Sequence, residues 1–127
     1  MFEKLHHIAI IASDITVSKH FYTQILGFDI LSETYREARD SWKIDLALKG
    51  DYLIELFSFA QAPARVDSPE ARGLRHLAFS VADIEATVAE LLARGVDVEA
   101  IRQDELTGAF YTFFKDPDGL PIELVQN

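Results

Sequence analysis

The stretch His7-Ile-Ala-Ile-Ile-Ala-Ser-Asp14-Ile15 occurs twice, the second time as His76-Leu-Ala-Phe-Ser-Val-Ala-Asp83-Ile84. The histidine and the aspartate both recur 69 positions later (76 − 7 and 83 − 14). Further along, Leu53-Ile-Glu55-Leu56 returns as Pro121-Ile-Glu123-Leu124, which is 68 positions later (123 − 55). Offsets that agree this closely indicate an internal duplication. Each half therefore carries one histidine and one glutamate at corresponding places.

Each half also shows the pattern of one helix and four strands. An apolar run suited to a buried strand, residues 5–12 and 74–82, ends at an aspartate placed as a helix N-cap. The helix that follows stops at Gly27 or Gly95, and its apolar spacing in the first half predicts that Val17, Phe21 and Ile25 face the core. Three further strand-like segments complete each half, namely 28–35, 42–49 and 52–59, then 96–102, 110–115 and 120–126.

The predicted fold class is therefore α+β, with the order β-α-β-β-β twice. We expect a single domain of residues 1–127, made of module one (1–60), a linker (61–72) and module two (73–127). The linker is placed where Pro63, Pro69 and several small residues interrupt the periodicity. A four-stranded sheet with one helix on its back leaves its other face free to curve around a ligand.

Composition excludes several classes of function. The chain has 127 residues, a net charge of −9 and no cysteine. That charge argues against binding nucleic acid or an anionic membrane surface, both of which need clustered Lys and Arg. Without cysteine there is no disulfide, thiolate ligand or thiol nucleophile. No secretion leader or apolar run of about 18–20 residues is visible, so a cytoplasmic protein is expected.

The repeated residues His7, Glu55, His76 and Glu123 are predicted to bind one divalent metal ion. Glu55 lies in an apolar run, residues 53–57, where an unpaired buried carboxylate would cost several kcal/mol. A single strand glutamate or core histidine is usually structural, but four that match across a duplication favour a shared ion. Two imidazoles and two carboxylates suit Ni, Zn, Co, Mn or Fe, with Ni or Zn favoured, and leave positions open for a substrate.

The chain resembles the vicinal oxygen chelate superfamily, which includes glyoxalase I, bleomycin-resistance proteins and extradiol dioxygenases. The resemblance spans essentially the whole chain. It rests on the two histidine-to-aspartate openings, on Ile54-Glu55-Leu56 and above all on Asp116-Pro-Asp-Gly-Leu-Pro-Ile-Glu123-Leu124. It implies that two paired βαβββ modules form a cup-shaped mixed β-sheet with helices on the outside, around one metal ion, in a homodimer.

The ligand order His, Glu, His, Glu is similar to that of bacterial glyoxalase I. This similarity implies a metal-dependent lyase or isomerase for a small α-oxo or hemithioacetal substrate, which reacts through a metal-chelated enediolate. Glutathione or another thiol is the implied cosubstrate. Glu123 is the implied general base, and Glu55 the implied assisting group on the opposite face. Arg72 and Arg102 lie near cationic positions of family members and are candidates for binding the cosubstrate.

Two positions depart from the glyoxalase I pattern. Ile11 and Phe59 stand where glyoxalase I usually carries the Arg and Asn that bind the γ-glutamyl end of glutathione. The residues therefore support metal chemistry more strongly than glutathione specificity. Two alternatives stay open: another metalloenzyme of the superfamily, such as a thiol transferase or dioxygenase, and a non-catalytic protein that binds a small molecule or antibiotic. A metal requirement separates the enzymes from the binding protein.

Overall fold

The structure, a computed structural model, describes residues 1–59 and 61–127. These residues fall into two units, Met1–Pro63 and Ala64–Asn127, and the boundary lies within the predicted linker. Ala60, the last residue of predicted module one, lies outside the described residues. Each unit has the predicted β-α-β-β-β order. No helix in the described ranges is both long enough and apolar enough to span a membrane.

The first unit is built on a four-stranded mixed sheet. Its strands are β1 (Ile8–Ala12), β2 (Asp29–Arg36), β3 (Ser41–Leu48) and β4 (Asp51–Ser58), with a 3₁₀ turn, Glu37–Arg39, between β2 and β3. The strand order is β1-β4-β3-β2, with β1 parallel to β4 and the other pairs antiparallel.

The two faces of this sheet differ in character because side chains alternate along each strand. One face is buried and apolar, and includes Ile44, Leu46, Ile54 and Leu56, each at most 1% exposed. The alternate positions on β3 and β4 form what we call the open face of the first unit. Lys43, Asp45, Glu55 and Phe57 are partly exposed, Ser41 at its end is buried, and Arg36 and Ser32 pair to it from β2.

The helix of the first unit departs from the predicted apolar spacing. α1 (Ile15–His20) begins at Asp14, whose carboxylate accepts from the amides of Thr16 and Val17, and continues as a π-helical turn, Phe21–Ile25. Val17 is 50% exposed, so its prediction as a core residue is wrong. The wider π turn lets the adjacent Phe21 and Tyr22 both reach the core, which a regular α-helix with one apolar stripe would not do.

The second unit repeats this architecture with a shorter edge strand. It contains β5 (Leu77–Ser80), α2 (Ile84–Ala93), β6 (Arg102–Gln103), β7 (Phe110–Lys115) and β8 (Pro121–Gln126), in the strand order β5-β8-β7-β6. Strand β5 runs parallel to β8. α2 begins at the predicted cap, because the carboxylate of Asp83 accepts from the amide of Ala86.

The strand predicted over residues 96–102 is mostly absent. Only Arg102–Gln103 pairs as a strand, with a single bridge between Val98 and Phe114. The hydroxyl of Thr112 donates to the carbonyl of Glu99 at 2.7 Å, and a side-chain bond of this kind competes with a regular backbone ladder.

The turn between β7 and β8 sets the position of Glu123. The carboxylate of Asp116 accepts from the amides of Asp118 and Leu120, each at 2.9 Å, and Gly119 adopts a φ of +85°. A side chain at that left-handed position would be strained, which explains the glycine in the Asp-Pro-Asp-Gly turn. Strand β8 therefore starts at a defined residue, two positions before Glu123.

Candidate functional site

His7 and Glu55 form a pair in the first unit. His7 immediately precedes β1, and the parallel pairing of β1 with β4 places Ala9 opposite Glu55. The Nε2 atom of His7 lies 3.7 Å from Oε1 of Glu55, and their side chains are 34% and 17% exposed. The strand register thus brings together two residues separated by most of the module.

Glu55 has further partners that the sequence analysis did not name. The Nζ of Lys43 lies 3.5 Å from its Oε2, and the hydroxyl of Tyr52 donates to the same oxygen at 3.3 Å. Asp45, opposite Glu55 on β3, accepts from Tyr52 at 2.8 Å, from Lys43 at 2.9 Å and from Ser32 at 2.9 Å. Glu55 therefore has a charged partner within its own sheet, the ammonium group of Lys43.

Three groups of this network, Lys43, Asp45 and Tyr52, have shifted pKa values, and each shift favours the protonation state that forms the hydrogen bonds. Burial acts to raise the pKa of Asp45, but hydrogen bonds from Lys43, Tyr52 and Ser32 outweigh it and hold that pKa below its usual range. The hydrogen bond to Asp45 raises the pKa of Lys43. Burial, together with the bond to Asp45, raises the pKa of Tyr52. At neutral pH Asp45 is ionised, Lys43 is charged and Tyr52 keeps the proton that it donates.

Tyr52 contacts both members of the pair. Its ring stacks on the imidazole of His7, with centroids 5.2 Å apart and an interplanar angle of 14°, while its hydroxyl reaches Glu55. On the other side of His7, the two Nδ1 atoms of His6 and His7 lie 2.8 Å apart, so one ring donates to the other. When Nδ1 of His7 is the donor in this bond, Nε2 is unprotonated and can bind a metal ion beside Glu55.

His76 and Glu123 form the corresponding pair in the second unit, in a different environment. Nε2 of His76 lies 3.9 Å from Oε1 of Glu123, and the side chains are 26% and 19% exposed. The residue opposite Glu123 on β7 is Phe113, whose ring meets His76 edge to face at 5.2 Å. Nδ1 of His76 is buried and has no hydrogen-bond partner among the described residues. Phe113 thus stands where Asp45 stands in the first unit, and the cationic group that interacts electrostatically with Glu123 is Arg75.

A cavity of about 280 Å³ lies beside His76 within the second unit. Its lining includes Arg102, whose guanidinium carbon lies 4.9 Å from the ring centroid of Tyr111 and which pairs with Glu99 at 3.0 Å. Arg75 also lines it. Arg72 lies exposed in the segment before β5, and its predicted role stays a prediction.

The two pairs fit the donor set of a divalent ion. Two ligands that each lie about 2.1 Å from one ion are at most about 4.2 Å apart, so separations of 3.7 and 3.9 Å are compatible with shared coordination. In both pairs Nε2 faces the carboxylate. Across residues 1–59 and 61–127, no three His, Cys, Asp or Glu side chains form a cluster that could hold a metal. A single ion bound by all four residues stays a prediction.

Comparison with known proteins agrees with this architecture. A family model described as the glyoxalase/bleomycin resistance protein/dioxygenase superfamily matches residues 4–124. The uncharacterized protein YaeR of Escherichia coli is 62% identical over 124 residues, which cover 98% of this chain and 96% of that protein. A probable lactoylglutathione lyase of Vibrio cholerae is 31% identical, over 98% of this chain and 91% of that protein.

Solved structures show the same relationship. The crystal structure of a glyoxalase family protein from Enterococcus faecalis superimposes with a TM-score of 0.92 at 48% sequence identity, covering 98% of both chains. The family model and the relatives span nearly the whole chain, including both His–Glu pairs. The chain therefore belongs to the glyoxalase/bleomycin resistance protein/dioxygenase superfamily.

Proposed function

We propose that this protein is a metal-dependent, glyoxalase I-like lyase or isomerase in which His7, Glu55, His76 and Glu123 bind one Ni, Zn or similar divalent ion. The observation that carries the proposal is the Nε2–carboxylate pair found at the corresponding place in each unit. The similarity to a probable lactoylglutathione lyase supports the choice of reaction. Superfamily membership supports a small-molecule substrate and a homodimer as parts of the same proposal.

When bound, the ion would supply Lewis-acid polarisation of the substrate's carbonyl oxygen. Glu123 takes the proton from the adjacent carbon and returns it to the neighbouring one. Glu123 accepts no hydrogen bond from the described residues, so one carboxylate oxygen would be available for proton transfer while the other, Oε1, faces His76 at 3.9 Å and would bind the ion. Glu55 is held by Lys43 and Tyr52, which suits it to orienting the substrate from the opposite face.

The identity of the thiol is a separate part of the proposal. Phe59, at the position of the glutathione-binding Asn, stacks on Phe57 with centroids 5.9 Å apart, and Ile11 is 52% exposed. Neither side chain offers a hydrogen bond to a γ-glutamyl group. Arg102, beside His76 in the cavity, supplies a cationic contact for another part of glutathione or for a different thiol.

The experiment that tests the function is isomerisation of the hemithioacetal formed from methylglyoxal and glutathione. The purified protein is reconstituted separately with Ni, Zn, Co, Mn and Fe, and metal-dependent turnover is expected with at least one ion. Bound metal without turnover would reject glutathione as the cosubstrate. Absence of metal binding would favour the alternative of a non-catalytic small-molecule-binding protein, in which a ligand raises thermal stability without being converted.

Tyr52→Phe is expected to weaken metal binding by about 10–100-fold, the usual effect of removing a group that orients a ligand. The change keeps the ring stacked on His7 but removes the hydroxyl that holds Glu55 and Asp45. Metal affinity is measured by competition with a chromophoric chelator. Tyr35→Phe is the matched control, because its hydroxyl donates to Asp40 at the end of the β2–β3 hairpin. Equal affinities for the two variants would contradict a positioning role for Tyr52.

A further inference from the structure

Arg36 occupies the end of the open face of the first unit. It is the last residue of β2 and pairs with Ser41, so its side chain leaves the sheet on the same face as Ser41, Lys43 and Asp45. Neither the repeated motif nor the two His–Glu pairs involves this residue.

The guanidinium of Arg36 rests on two stacked aromatic rings. Its central carbon lies 4.7 Å from the ring centroid of Phe57 and 5.7 Å from that of Phe59. Nη2 donates to the hydroxyl of Ser41 at 3.1 Å, whereas Nε is buried and has no hydrogen-bond partner within residues 1–59 and 61–127. The aromatic rings remove water from one side of the cation and leave its planar donor group in a fixed orientation.

The charge of Arg36 has no anionic partner in the part of the chain that the structure describes. Four other arginines pair with a carboxylate: Arg65 with Asp67, Arg75 with Glu70, Arg94 with Glu90 and Arg102 with Glu99. Arg39 and Arg72 also lack an ion pair among the described residues, but both are exposed, so Arg36 is the half-buried guanidinium without a carboxylate in this part of the chain. A half-buried cation of this kind, with its Nε buried, is stabilised when an anion supplies the missing acceptors.

We propose that Arg36 forms an anion-binding subsite for the substrate, which accepts a carboxylate or phosphate group. Phe57 follows Glu55 by two residues on the same face, which places the two backbone positions about 6.5 Å apart. An anion on Arg36 thus lies within the length of a small molecule whose reacting end meets the His7–Glu55 pair. The inference rests on the proposed function and deepens it. It specifies that the α-oxo or hemithioacetal substrate carries an anionic group remote from its reacting carbons.

The test measures anion binding by the metal-free protein, so that it does not depend on turnover. Inorganic phosphate is titrated into the full chain at low ionic strength, with heat of binding as the readout, and acetate is titrated in a parallel series. We expect saturable binding that falls by about tenfold or more in Arg36→Gln, the effect of losing one charge-assisted contact. The tighter of the two probes identifies whether the group is a phosphate or a carboxylate.

Arg39→Gln is the matched control. It removes the same charge from the adjacent exposed turn. Among the described residues Arg39 makes no cation–π contact, so the change should alter the affinity by less than about twofold. If Arg36→Gln unfolds, Arg36→Lys keeps the charge without the planar donors and should still weaken binding more than Arg39→Gln. Absence of saturable binding by the wild type to either probe, or equal losses in the Arg36 and Arg39 variants, would overturn the subsite. If binding depends on Arg36 but the protein shows no metal-dependent turnover, the subsite is supported. Only the proposed lyase activity is then contradicted.

Discussion

Glu123→Gln is expected to lower turnover of the hemithioacetal by about 10²–10⁴-fold, the usual contribution of a positioned general base. Glutamine has nearly the same volume and keeps an oxygen, but it cannot take a proton from carbon. The fold should persist because Glu123 accepts no hydrogen bond from the described residues, and the change weakens only its longer electrostatic contacts with His76 and Arg75. Turnover is measured at equal metal content, together with the thermal unfolding midpoint. A wild-type rate in the metal-loaded variant would exclude Glu123 as the base.

Glu55→Gln provides the matched comparison within the duplicated scaffold. This change weakens the contact with Lys43 at 3.5 Å and alters the bond from Tyr52. We expect it to lower the free energy of unfolding by about 0.5–1.5 kcal/mol, the usual net contribution of an intramolecular hydrogen bond. Chemical denaturation of the metal-free proteins measures this difference. Equal stabilities of Glu55→Gln and Glu123→Gln would show that the contacts of Glu55 with Lys43 and Tyr52 do not stabilise the fold.

Removing either ligand histidine is expected to abolish stable metal binding. The wild type should bind one ion per chain. His7→Ala and His76→Ala should each lower the metal affinity by more than about 100-fold. This loss exceeds the effect of changing a group that only orients a metal ligand. Each His–Glu pair supplies two protein donors, whereas ions of this class generally take three or four. A shared ion therefore makes both histidines necessary. Metal content after gel filtration and chelator competition measure the effect.

His20→Ala is the control for these variants, because His20 is exposed at the end of α1 and has no counterpart in the second half. Its metal content should equal that of the wild type. Two ions per chain in the wild type would show that each pair binds metal independently. Loss of metal in only one of the two ligand variants would lead to the same conclusion for the remaining pair.

The features predicted correctly from the sequence depend on local interactions. Asp14 and Asp83 cap their helices with their own carboxylates, and Gly27 and Gly95 end the helical segments with a φ of +84°. The turn at Asp116 is closed by amides within four residues. Each of these contacts lies within a few positions along the chain, so residue type and spacing are sufficient to predict it.

The features predicted wrongly depend on packing between distant segments. Val17 has the spacing of a core residue, but the π turn at Phe21–Ile25 changes which side chains face the sheet. The alternating residues 96–102 suit a strand, but the hydroxyl of Thr112 on β7 takes one of the carbonyls that a ladder would use. Neither effect is visible in the periodicity of the segment itself.

The candidate site shows the same distinction between features set by the local sequence and features set by packing between distant segments. The duplication alone identified one histidine and one glutamate in each half, because the matching offsets are a property of the sequence. Only the tertiary structure showed that Glu55 faces Asp45 whereas Glu123 faces Phe113, since strand register decides which residue lies opposite. Register also placed Arg36 over Phe57. The sequence by itself therefore determined the duplicated fold and its four candidate ligands, and pairing between distant strands decided the electrostatic surroundings that make the two halves different.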